Sequence, residues 1–260
     1  MHTNKNSWDK FLVSFSTIYF FLLFFHGFSH HWGYLSSLND IGHFDQAIWG
    51  AANGFSLLNT DIFNQYANRL GIHFDPILYL FVPLYKTYPT VNWLIAAQSA
   101  AISFSAWPIY LIVKDISLSE KTACIWSIAY LLNPFLISAG TWDFHPITLS
   151  LPFMAYALLA ILKDKIKLLL FCCFFLLLCK EHMGFAVAGL GILYGLETHK
   201  WKAASFIAVF GIICLLIILT KIMPAYSTTG NHIMFSESSG QLSRYQWLGS
   251  SISEIISISA

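Results

Sequence analysis

Apolar residues fill long, almost unbroken runs of this chain, and polar residues are confined to short breaks between them. The runs cover residues 11–28, about 92–113, 122–139, 147–162, 166–179, 183–197 and 203–222. Backbone polar groups in lipid must be satisfied within their own segment, so each run predicts a helix. The pattern therefore predicts an all-α membrane protein of about seven transmembrane helices. No small-x-small cleavage site follows the first run, where His26, Phe28, His30 and His31 crowd the position, so it is read as a retained span. Two runs of 14 residues flank Lys180-Glu181-His182. As one helix they would extend about 46 Å against a core of roughly 30 Å, so they predict two spans meeting at a recessed turn. Asn133-Pro134 predicts a kink, and Gly191-x-x-x-Gly195 a close helix-packing surface.

The segment between the first two spans, residues 29–91, is long and aromatic. Ile41, Phe44, Ile48 and Ala51 share one face of a helix predicted over 40–52, with Asp40 as its cap. A second helix is predicted over 76–87, with Pro76 in its first turn and Asp75 as its cap. Both are too short to span and are expected along the membrane surface.

Composition supports this reading: the 260 residues are 57% hydrophobic, 17% aromatic and only 10% charged. A net charge of +1 gives no reason to expect nucleic acid as a partner. The five cysteines lie in apolar runs, which argues against a disulfide framework or a zinc site. Nine of the fourteen Lys and Arg fall in alternate loops with the N-terminus, so the positive-inside rule predicts the N-terminus inside.

In that frame the ionisable residues of three separate loops share the outer side: Asp40, His43, Asp45, His73 and Asp75; Asp143 and His145; Lys180, Glu181 and His182. Each acid or imidazole has an ordinary alternative as a helix cap, a solvated loop residue or half of a structural ion pair. Their recurrence on one side favours a common site. An outer tail, 223–260, adds Arg244, and the abrupt Ser250–Ala260 ending raises the expectation that the chain is a fragment.

Several motifs carry a resemblance. Asp40-x-Gly-x-Phe-Asp-Gln-Ala-x-Trp, His73-Phe-x-Pro with Leu-x-x-Pro83-Leu-Tyr85, Asp143-Phe-His-Pro146, Lys180-Glu181 and Tyr245-x-x-Leu-Gly-Ser-Ser251 together resemble the DUF2079 family of membrane proteins over about 34–256. That family in turn looks like a branch of the multispanning GT-C glycosyltransferases. The resemblance implies a sugar taken from a polyprenyl-phosphate donor at the outer face, with a first-loop acid as the catalytic element. Asp40 occupies that place first and Asp45 second. His43, His73, Asp75, Asp143, His145, Lys180, Glu181, His182 and Arg244 are the expected substrate-binding set. A divalent metal bridging the phosphate is the one cofactor such a set allows, though no spacing is diagnostic. The alternatives are a transporter or lipid-binding protein without bond chemistry, and an inactive truncated family member. Recessed charges also mark transport pathways, but no inverted repeat appears between the halves.

Overall fold

A computed structural model describes residues 7–60 and 66–227. Arg244 and the motif around Tyr245 lie outside the described residues. Helix α1, Ser7–Trp32, runs 26 residues. Its buried positions Leu12, Ser16, Tyr19 and Leu23 recur every three or four residues and form one packed stripe, while Phe11, Ile18, Leu22 and Phe25 remain exposed, as lipid-facing residues do.

After a π-helical turn, Leu38–Gly42, comes α2, His43–Ala52, which buries Phe44, Ala47 and Ile48 as its periodicity requires. A small antiparallel hairpin follows, β1 Leu58–Thr60 paired with β2 Tyr66–Asn68. The short helix α3, Arg69–Ile72, is capped by the Asn68 side chain. The predicted 76–87 helix divides in two: a 3₁₀ segment, Pro76–Phe81, and α4, Val82–Thr87. Pro83 explains the division, because it offers no N–H to continue an α-helical ladder back into the preceding turn.

Two expectations are corrected here. Neither the Asp40 nor the Asp75 carboxylate caps a helix: the N-cap of α2 is Gly42, without a side-chain bond, and Asp75 holds the N-cap position before Pro76, as expected, but its side chain makes no bond to the first turn. The Asp40 carboxylate faces His145 and the Asp75 carboxylate bonds Arg69 in the same loop.

Helices α5, Asn92–Phe104, and α6, Ala106–Ser117, form a continuous apolar segment of 26 residues. Helices α7, Glu120–Leu131, and α8, Pro134–Thr141, bend by 51° at Asn133-Pro134, where Asn133 caps α8. A 3₁₀ turn, Pro146–Leu149, leads into α9, Ser150–Leu162. Helices α10, Ile166–Cys179, and α11, Met183–Thr198, break at Lys180-Glu181-His182 as the sequence predicts. Helix α12, Trp201–Ile217, continues through a π turn, Ile218–Ile222, into α13, Met223–Tyr226.

Three of these helical segments are long and apolar enough to cross a membrane, four if the bent pair counts as one span. Three shorter apolar segments, Pro146–Leu162, Ile166–Cys179 and Met183–Thr198, occupy the other predicted runs.

Packing explains where the first loop sits. One apolar cluster joins α1 to α5, α6, α7 and α8 through Leu23, Ile102, Tyr110 and Leu131. A second joins α9, α10, α11 and α12 through Leu169, Leu176, Val187 and Ile207. The third roots the first loop in the bundle, setting Phe44, Ile48, Leu78 and Tyr85 against Leu94, Phe144 and Leu149. Helices α11 and α12 touch along small residues: a Cβ on Gly191 would lie 2.6 Å from the Ala208 nitrogen, and one on Gly184 would lie 2.6 Å from the Gly211 oxygen.

Candidate functional site

Most of the polar residues singled out in the sequence assemble where the first loop meets the ends of α1, α5, α8 and α10. Gln98, in the second turn of α5 and buried, fastens the turn Trp142–His145. Its Nε2 donates to the Trp142 carbonyl at 3.0 Å, while its Oε1 accepts from the His145 N–H at 2.9 Å and the Thr148 hydroxyl at 3.0 Å. A side chain that uses both donor and acceptor ends in this way leaves the turn little freedom.

Asp143 is nearly buried. It accepts the Ser37 N–H at 2.7 Å and lies 3.4 Å from His30 Nδ1, so it ties the end of α1 to the same turn. His145 Nδ1 lies 2.9 Å from the Asp143 carbonyl oxygen. A carbonyl only accepts, so Nδ1 carries the proton and Nε2 is left facing Asp40, with 3.6 Å between Nε2 and Oδ1. Both side chains are partly exposed, at 35% for His145 and 27% for Asp40, so a solute has access to the pair.

Phe44 carries the structure from this group to a second one. Its ring packs against Phe144, with centroids 5.4 Å apart, and the Arg69 guanidinium carbon lies 4.3 Å from its centroid. Arg69 bonds a single oxygen of Asp75 through both Nε and Nη2, each at 3.0 Å. Both partners are buried, and the other Asp75 oxygen, Oδ1, has no hydrogen-bond partner among the described residues. Burial pushes the Asp75 carboxyl up, and the Arg69 charge and hydrogen bond oppose that rise.

Glu181 reaches across to the first loop. It meets His73 Nδ1 at 3.1 Å with one oxygen and accepts the Phe74 N–H at 3.0 Å with the other. Burial acts to raise its carboxyl, but the hydrogen bond and charge of His73 and the backbone donors outweigh it and hold the group down to about 2. Burial lowers the Lys180 ammonium, against the pull of Glu181 and Asp75.

Asp45 stands apart, accepting the Tyr85 hydroxyl at 2.7 Å. Burial, reinforced by the Asp45 carboxylate, pushes the Tyr85 phenol up and keeps it a donor. His43 is half-buried in the first turn of α2, and His182 is exposed in the turn before α11.

The structure thus gathers Asp40, Asp143 and His145 in one group, and His73, Asp75, Lys180 and Glu181 in another, with Phe44 between them. Four participants were not singled out for the site from sequence: His30, Arg69, Gln98 and Tyr85. Arg69 carried a signal, being one of two arginines in the chain. Among the described residues no three of His, Cys, Asp and Glu are arranged to hold a metal ion, so the cluster does not fit a divalent metal held by such ligands.

Apolar helices of membrane-crossing length and polar residues gathered at their ends define a multispanning, all-helical membrane protein. The chain belongs to the family described as predicted membrane protein (DUF2079), whose model matches residues 30–259. No curated protein and no solved structure matches it.

Proposed function

We propose that this protein is a glycosyltransferase-like enzyme of a prokaryotic cytoplasmic membrane, moving a sugar from a polyprenyl-phosphate donor to an acceptor at the outer face. The observation that carries this reading is the Asp40–His145 pair: a partly exposed first-loop carboxylate facing an imidazole nitrogen whose tautomer is set from behind by the Asp143 carbonyl. An acceptor hydroxyl is a weak nucleophile and needs a positioned base. Asp40 takes its proton as the acceptor oxygen bonds to the anomeric carbon. The bond from that carbon to the donor phosphate oxygen breaks, and its electron pair leaves with the polyprenyl phosphate.

In its doubly protonated form His145 also presents an N–H at Nε2, and that form orients the Asp40 carboxylate. Lys180 and His73, the latter held by Glu181, lie in the neighbouring group and are assigned to the departing phosphate, for which a cation is the natural partner. Asp45 ranks below Asp40 because one of its oxygens is already engaged by Tyr85.

The test is transfer of a labelled sugar from a polyprenyl-phosphate donor in membranes holding equal amounts of each variant. Asp40→Asn is expected to lose about 10²-fold or more, the usual scale for a general base, while Asp45→Asn retains most activity. Unchanged transfer in Asp40→Asn would remove it from the role of base.

A further inference from the structure

The end of the bundle away from this cluster holds a feature that the proposed reaction does not use. Lys114 lies 16 residues beyond Gln98 along the α5–α6 segment, roughly 24 Å at the helical rise. Beside it, a cavity of about 250 Å³ opens between the end of α6, the end of α9 and the start of α10. Leu111, Leu159 and Leu168 contribute its apolar lining, and Lys114, Lys163 and Lys165 bring ammonium groups to it, with Asp115 as its carboxylate.

We propose that this cavity binds the headgroup of an anionic phospholipid, with the phosphate at the lysines and the acyl chains leaving along the leucine side. Three observations combine. The first is the charge of the lining, three lysines against one carboxylate. Lys163 pairs with Asp115, and Lys114 is held by Glu120 at 2.8 Å with Asp9 at 3.9 Å, but Lys165 has no ion-pair partner among the described residues.

The second is the charge around it. This end carries eight described lysines, Lys86 and Lys180 lying at the other end and Lys221 beyond α12. Opposing them are the carboxylates of Asp9, Asp115, Glu120, Asp164 and Glu197. The surplus favours an anion over a zwitterion, and basic recesses between membrane helices are suited to such headgroups.

The third is the wall. Leu111 and Leu168 are half-buried, and Leu162, Leu170 and Ile116 nearby are exposed, so the apolar lining continues into a surface that acyl chains can follow. A dissolved phosphate ion gains nothing from leucines. A lipid uses both parts of the cavity, its charge at the rim and its chains on the wall.

Native mass spectrometry of the full chain in detergent, titrated with phosphatidylglycerol or phosphatidylcholine, reads this directly. The wild type is expected to retain one phosphatidylglycerol in preference to phosphatidylcholine. Lys165→Gln, which leaves the Lys163–Asp115 pair intact, should reduce that occupancy several-fold, and Lys163→Gln/Lys165→Gln should reduce it at least 10-fold at an unchanged melting temperature. Lys202→Gln, an exposed lysine at the same end, should leave it unchanged. Equal retention of the two lipids would overturn the proposal. So would displacement of the bound lipid by millimolar inorganic phosphate, or an equal loss in Lys202→Gln, which would reduce the effect to diffuse charge.

Discussion

Replacing Arg69 with methionine leaves Asp75 fully buried and removes the hydrogen-bonding partner of its carboxylate. Among the described residues Arg69 supplies both bonds to Asp75 Oδ2 and Oδ1 has none, so only the charges of His73 and Lys180 remain to compensate the carboxylate. Breaking a buried pair on one side costs about 3–5 kcal/mol. Loss of the contact with the Phe44 face adds to this, although the two effects share one side chain and do not sum. A loss of that size lowers the melting temperature of a 150–250-residue protein by about 10 °C. Asp75→Leu should destabilise by a similar amount, because it strands a guanidinium. The double variant Arg69→Met/Asp75→Leu should recover most of the loss, since it leaves no buried charge. Thermal and denaturant unfolding of the four proteins in detergent, run as a double-mutant cycle, measures the coupling. A cost below about 1 kcal/mol for Arg69→Met, or strict additivity in the double variant, would refute the argument that this buried pair stabilises the first loop.

Three further outcomes are expected. Gly191→Ala should destabilise by about 1–3 kcal/mol, because its Cβ would lie 2.6 Å from the Ala208 nitrogen; Gly189→Ala, with nothing within 4 Å, should be harmless in the same melt. Glu181 is held down to about 2 from an ordinary 4.5, so its contribution to stability is present above about 4.5 and is lost as pH falls toward 2; Glu181→Gln should flatten the dependence of unfolding on pH in that window, and an unchanged slope would contradict the His73–Glu181 assignment. Cysteines placed at Ser56 and Ser227 should react with an impermeant reagent from outside and one at Ser119 should not, and outside labelling at Ser119 would reverse the orientation read from the lysines.

Local features were legible in the sequence wherever one short-range rule decides the structure. The break at Lys180-Glu181-His182 followed from the length of a bilayer, and the bend at Asn133-Pro134 from the missing N–H of proline. The buried face of α2 followed from its periodicity. The roles of the Asp40 and Asp75 carboxylates did not follow, because a capping side chain and an ion-pair partner look alike ahead of a helix. What turned Asp40 toward His145 is a contact across 105 positions, prepared by Gln98 from a third helix. Gln98 lies in an apolar run, where no local pattern distinguishes a polar side chain that fastens a distant turn. The hairpin Leu58–Thr60/Tyr66–Asn68 has three-residue strands, too short for alternation to register.

The central claim is that Asp40 and His145 act as one unit in sugar transfer. Its most direct test is a kinetic cycle in which kcat/KM for transfer from a polyprenyl-phosphate sugar is measured for the wild type, Asp40→Asn, His145→Gln and the double variant. Residues that act together lose function together, so the double variant is predicted to be no slower than Asp40→Asn alone. Losses that multiply would show two independent roles and contradict the account.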